Sequence, residues 1–252
     1  MTYPMSPVRG AMAAMIARAG QNAFKLRCGL LAWLAFALAM QTAHAGRPMI
    51  VDDASIVGVD RCQLESWTQV ARGSTEYWAV PACNFSGNLE VAFGAARITG
   101  EQGTHTAAVL QGKTLFKAPG SNGWGAGLVF GNQFNPGNGV IGDLYASVPV
   151  SIAIQDDRFT VHTNVGWMRE KIEARNVMTW GLGAETTLSE RTILTSETFG
   201  QRHGKPFFQL GFKHWLVVDR LQLDATYGDR FGRGNAERFV SVGLVLFSGT
   251  QL

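Results

Sequence analysis

Apolar residues at every second position dominate the chain between Lys205 and Leu252, and that period admits strands and little else. Phe208, Leu210 and Phe212 alternate with Gln209, Gly211 and Lys213. Leu221, Leu223, Ala225 and Tyr227 alternate with Gln222, Asp224 and Thr226, and Val240, Val242, Leu244 and Leu246 alternate with Ser241 and Gly243. Successive side chains on a strand point to opposite faces, so each segment has one apolar face and one polar or small face. The tight link Val218-Asp219-Arg220 joins the first two segments, and a loop rich in charge and glycine, 228–237, precedes the third. Strand, short turn, strand, long loop, strand is the pattern of an up-and-down barrel with lipid outside.

The same rule carried back along the chain predicts strands over 61–71, 74–83, 88–99, 104–117, 123–133, 140–154, 159–168, 176–187, 191–200, 206–217, 220–228 and 237–247. Trp124, Ala126, Leu128 and Phe130 form one outward set, and Leu144, Ala146, Val148, Val150 and Ile152 a second. Met178, Trp180, Leu182 and Ala184 form a third. The short connections Gln155-Asp156-Asp157-Arg158, Ser189-Glu190 and Val218-Asp219 fall at alternate turns, and longer loops fall between them. That parity places both termini on the short-turn, periplasmic side. The predicted fold class is all-β: a transmembrane up-and-down antiparallel β-barrel of about 12 strands after a cleaved signal peptide. A periplasmic β-sandwich also alternates, but its apolar faces pack inward. Twelve regular strands favour the barrel.

The N-terminus has a different logic. Arg9, Arg18, Lys25 and Arg27 precede a 13-residue apolar run, Cys28–Met40, and Ala43-His44-Ala45 follows it. A basic region, a short apolar core and a small-x-small site make a secretory signal peptide, with cleavage expected after Ala45. The expected organisation is a signal peptide over 1–45, a periplasmic lead-in over 46–60 and an outer-membrane barrel of a Gram-negative cell over 61–252. Removing the signal leaves 18 basic against 19 acidic residues, so the basic balance belongs to the leader and nothing argues for nucleic-acid binding. The lead-in shows no period, and Asp52-Asp53 within it is expected to be a solvated turn without a third metal ligand.

Cys62 and Cys83 remain after cleavage. In an exported chain a remaining pair is most simply a disulfide. A two-residue turn at Arg72-Gly73 sets Cys62 opposite Cys83, Trp67 opposite Trp78 and Gln69 opposite Glu76. It also makes 62/83 a non-hydrogen-bonded pair, where the chains lie close enough for a bridge. A metal site or a reactive thiol would need further Cys or clustered His, which the chain after Ala45 lacks.

Motifs for chemistry are sparse. Gly123-Trp-Gly-Ala-Gly127 fails the dinucleotide spacing, and there is no Gly-x-Ser-x-Gly elbow or zinc-type His pair. A lipid-modifying hydrolase would need Ser or an acid beside a His at the bilayer rim, and none of His105, His162, His203 and His214 has such a partner by sequence alone. No catalytic residue, cofactor or metal is expected. Trp67, Trp78, Trp124, Trp167, Trp180 and Trp215, with Tyr77 and Tyr227, fall mostly near strand ends and read as interface girdles, or for a few of them as the wall of a solute path. The polar face supplies the candidate lumen residues: Glu65, Gln111, Lys113, Asp143, Tyr145, Glu185, Gln209, Lys213 and Asp224. Charges of both signs there either select solutes across an open pore or pair across a plugged interior.

Arg47-Pro-Met-Ile-Val-Asp-Asp-Ala54, Arg61-Cys-Gln-Leu-Glu-Ser-Trp67 and Leu110-Gln-Gly-Lys-Thr-Leu-Phe116 resemble the meta-pathway phenol-degradation family of outer-membrane proteins. The resemblance implies a barrel that helps small aromatic or apolar molecules cross. The Cys62/Cys83 pair, and a chain that continues past Phe247 as Ser-Gly-Thr-Gln-Leu252, depart from that family. The expected function is passive transport of small solutes. A closed structural or surface-binding barrel is the first alternative, and an outer-membrane hydrolase the second. Expected partners are outer-membrane lipids, the barrel-assembly machinery and a small-molecule solute.

Overall fold

A computed structural model of the protein describes residues 47–101, 103–232 and 237–248. The expected signal peptide and cleavage site, and the chain past Ser248, lie outside the described residues. Twelve strands form one closed antiparallel barrel in which each strand pairs with its sequence neighbours. They are β1 (Arg61–Ala71), β2 (Ser74–Asn84), β3 (Glu90–Gly100), β4 (Gly103–Lys117), β5 (Trp124–Phe134), β6 (Asp143–Ile154), β7 (Phe159–Glu170), β8 (Arg175–Ser189), β9 (Thr192–Gln201), β10 (Phe207–Val217), β11 (Leu221–Arg230) and β12 (Phe239–Phe247). β1 closes the ring against β12, from Gln63 opposite Phe247 to Ala71 opposite Phe239. Closure satisfies every strand's ladder and leaves no edge, which is what permits a sheet to sit in lipid.

The strands fall where alternation predicts them, with ends displaced by a few residues. The largest displacement is at the start of β6. There the Asn132 side chain accepts from Gly142 N–H and donates to the Val140 carbonyl, taking over backbone groups that would otherwise extend the ladder. The outward sets also face as expected. Leu182, Leu210, Val240 and Leu244 are exposed on the barrel wall, where only lipid would cover them.

The first hairpin takes the predicted register: Cys62 lies opposite Cys83, Trp67 opposite Trp78 and Gln69 opposite Glu76. Cys62 and Cys83 form a disulfide, their Cα atoms 4.1 Å apart. Three tryptophans depart from the girdle reading, Trp67, Trp78 and Trp215, the last lining a cavity inside the barrel. Trp67 and Trp78 point into the barrel, are buried, and stack with ring centroids 5.5 Å apart. Strand ends are equally open to aromatics on either face, and only the register decides which face a given residue takes.

Candidate functional site: a lumen threaded by the N-terminal segment

The stretch without a period, residues 47–57, runs inside the barrel instead of ahead of it. Its backbone is held largely by side chains that successive strands point inward. Gln209 of β10 donates to the Pro48 carbonyl at 2.6 Å. The Glu197 carboxylate of β9 accepts from Ile50 N–H at 2.9 Å and Val51 N–H at 2.7 Å. Asn164 of β7 accepts from Asp52 N–H and donates to the Asp52 carbonyl. Ser151 of β6 accepts from Ala54 N–H, Glu90 of β3 accepts from Val57 N–H, and Asn84 of β2 donates to the Val57 carbonyl. An irregular segment can be buried only if its backbone groups find such partners. Here the lumen supplies them.

Ion pairs and packing complete the seat. Lys113 Nζ lies 2.6 Å from Asp52 Oδ1 and 2.7 Å from Asp53 Oδ1. Arg47 lies 2.5 Å from Asp224, donates to Ser241, and stacks its guanidinium 4.8 Å from the Trp67 ring. Asp52-Asp53 is therefore not a solvated turn: Asp52 is only 1 % exposed. The physical reason is that one buried ammonium offsets the desolvation of the carboxylates beside it. Met49 and Val51 pack with Phe199, Phe207 and Phe239. Gly181 and Gly183 make room for them, because a Cβ at either position would overlap Val51 or Met49.

All nine candidate lumen residues lie on strand positions of inward parity, and the structure gives most of them to the segment or to each other. Lys113, Glu65, Gln209 and Asp224 contact the segment directly, with Glu65 accepting from Arg47 N–H at 3.3 Å. Lys213 and Glu185 pair at 2.6 Å, and the Tyr145 hydroxyl donates to Gln111 at 2.8 Å. Asp143 stands apart at the first residue of β6, where it accepts from the Lys171 backbone.

Sequence reasoning missed Arg47, Asp52, Asp53, Glu90, Asn164 and Glu197. Glu197 and Asn164 sit at inward positions of predicted strands, so alternation could have found them. The segment residues carried no periodic signal at all. Ser151 beside His162 was also missed, although the turn arithmetic that pairs the cysteines pairs these two across Gln155–Arg158. Ser151 Oγ lies 2.8 Å from His162 Nδ1, and His162 Nε2 lies 3.7 Å from Glu185. The Oγ is buried and held by the Ala54 amide, so in this conformation the pair anchors the segment. Among the described residues no group of three or more His, Cys, Asp or Glu side chains converges to hold a metal ion.

Space remains beside the segment. A cavity of about 280 Å³ lies at the end of the barrel where β1 begins and β12 finishes, bordered by Gln63, Trp215, Gln222 and Phe247 as well as by Ile56 and Val57 of the segment.

A family profile described as "Uncharacterised conserved protein UCP029691" matches residues 33–247. The chain belongs to that family. No curated protein matches it. Among solved structures it is similar to the KdgM porin, with a TM-score of 0.57 and 7 % identity over 73 % of this chain and 98 % of that one. The KdgM porin in complex with disordered oligogalacturonate aligns with a TM-score of 0.56, and the NanC porin with 0.54, each at 7 % identity and the same coverage. At that identity the likeness establishes the architecture, a porin-type closed β-barrel.

Proposed function

We propose that this member of the family is an outer-membrane channel for small molecules, closed in this conformation by its own residues 47–57. One observation carries the reading: a closed barrel with a lipid-type exterior encloses a polar lumen, and a segment that is not part of the sheet fills it through side-chain contacts. A segment held by side chains can leave without breaking any strand pairing, whereas a strand cannot. The KdgM and NanC likeness supports passage of a solute, and the resemblance to the phenol-degradation family supports small aromatic or apolar ones. The reading places residues 1–45 as a signal peptide cut after Ala45, outer-membrane lipid around β1–β12, and the barrel-assembly machinery as the folding partner. It assigns no covalent chemistry.

A second reading is a closed barrel with a structural or surface-binding role. The pairing of Lys113, Lys213 and Arg47 within the lumen favours it. Solute flux into liposomes separates the two. The refolded mature chain is compared with a variant carrying Asp52→Asn and Asp53→Asn, which weakens the segment's hold. Flux in the variant above the unsubstituted barrel and above empty liposomes supports the gated channel. No flux from either folded barrel establishes the closed one.

A further inference from the structure

Arg47 occupies a built site on the barrel wall. Its guanidinium lies 2.5 Å from Asp224 of β11, donates to Ser241 of β12 at 2.9 Å, and sits 4.8 Å from the Trp67 ring of β1. Asp224 is fully buried and Ser241 nearly so. Gly243 of β12 clears the space, since a Cβ there would lie 2.8 Å from both the guanidinium and the Asp224 carboxylate. A carboxylate, a hydroxyl and an aromatic face around one planar cation suit a guanidinium better than a compact ammonium. All of them belong to strands, so they stay when the segment goes.

The rest of the wall has the same sign. The buried inward-facing carboxylates are Glu65, Glu76, Glu90, Glu197 and Asp224, and among the described residues Lys113 is the one buried lysine or arginine on a strand. Lys213, less deeply buried, is matched by Glu185 at 2.6 Å. Departure of the segment removes Arg47 together with Asp52 and Asp53, and the surface it uncovers is acidic. Asp224 would then stand inside the barrel without its cation, the costly half of a broken ion pair. A cation drawn from solution offsets that cost, and an uncharged or anionic solute does not.

We infer that the opened lumen takes small cationic solutes, those with a guanidinium group foremost, at the site formed by Asp224, Ser241 and Trp67, and that Arg47 is its tethered occupant. The inference rests on the channel reading and replaces its uncharged solutes with cationic ones. The cavity at the β1 and β12 end borders Arg47 and Glu65, which gives the site an approach from that end.

Ethylguanidinium, which matches the outer part of an arginine side chain, is the probe. Binding is followed by ligand-observed NMR in nonionic micelles, with ethanesulfonate and propionamide as anionic and neutral comparisons. The Arg47→Ala barrel, checked as folded by heat-modifiability, should bind ethylguanidinium saturably, and adding Asp224→Asn should weaken that binding about tenfold. The Asp52→Asn, Asp53→Asn barrel, in which Arg47 is intact but its segment loosened, should bind it more weakly and respond to Asp224→Asn in the same way. In planar bilayers under a gradient of ethylguanidinium chloride, the reversal potential of the loosened barrel should take the sign of a cation-selective pore. Absence of saturable binding in both barrels, binding untouched by Asp224→Asn, equal binding of ethanesulfonate or propionamide, or an unselective or anion-selective pore overturns the inference. Binding that depends on Asp224 but comes without conductance keeps the site and removes the channel reading. Conductance without binding removes the site alone.

Discussion

Asp52 and Lys113 stand 61 positions apart in the chain and 2.6 Å apart in the barrel, and through them an irregular segment is fastened to β4. The same ammonium reaches Asp53 at 2.7 Å, so one lysine bridges two neighbouring carboxylates and relieves their mutual repulsion.

Lys113→Met is expected to loosen the segment severely. Removing one member of a buried ion pair strands the other, at about 3–5 kcal/mol. Hydrogen exchange read by mass spectrometry checks this: protection at the Ile50, Val51 and Asp52 amides should fall while the strand amides stay protected. Adding Asp52→Asn and Asp53→Asn to Lys113→Met should recover part of the protection, because the two aspartate charges are then no longer left without their cation. Equal exchange in the single and triple variants would show that the ion pair does not hold the segment.

Glu197→Gln tests the backbone clamp. The carboxylate accepts from the amides of both Ile50 and Val51, and a neutral amide oxygen replaces a charge-assisted acceptor with a weaker one. The expected loss is about 1–2 kcal/mol, read as faster exchange of those two amides. Unchanged protection there would assign the hold to Met49 and Val51 packing.

Leu182 is exposed near the middle of β8, and Leu246 is exposed near the end of β12. Lysine at Leu182 should cost about 2–4 kcal/mol in a bilayer, and at Leu246 about 0–1 kcal/mol. Urea unfolding in lipid vesicles measures both. Equal costs would mean the outward face is not set across a bilayer as proposed.

The Cys62–Cys83 bridge closes a loop with a sequence separation of 21. Chain entropy gives such a bridge about 3 kcal/mol. Reduction, or Cys62→Ser with Cys83→Ser, should lower the unfolding midpoint and change the mobility of the unheated barrel on a denaturing gel. Two titratable thiols in unreduced protein would exclude the bridge.

Most of the barrel was legible because its signal is local. A strand with lipid on one side must write that side as apolar at every second residue, and Phe208, Leu210 and Phe212 or Val240, Val242 and Leu244 do so without reference to anything distant. Turn length then sets register, which is why the Cys62/Cys83 and Trp67/Trp78 pairs followed from Arg72-Gly73. The face taken by Trp67, Trp78 and Trp215 differs from the girdle reading because strand-end position, the cue that suggested a girdle, is blind to inside and outside.

The lumen was legible only as a collection of inward polar residues. Lys113, Glu185, Gln209, Lys213 and Asp224 were placed on the correct face, but whether they faced water, a solute or one another depended on what else entered the barrel. Periodicity alone thus determined the architecture, since alternation is enforced residue by residue along each strand. The tertiary structure alone decided that residues 47–57 occupy the lumen. That segment's partners come from β1, β2, β3, β4, β6, β7, β9, β10, β11 and β12, and no local pattern can record side chains that meet only when the ring has closed.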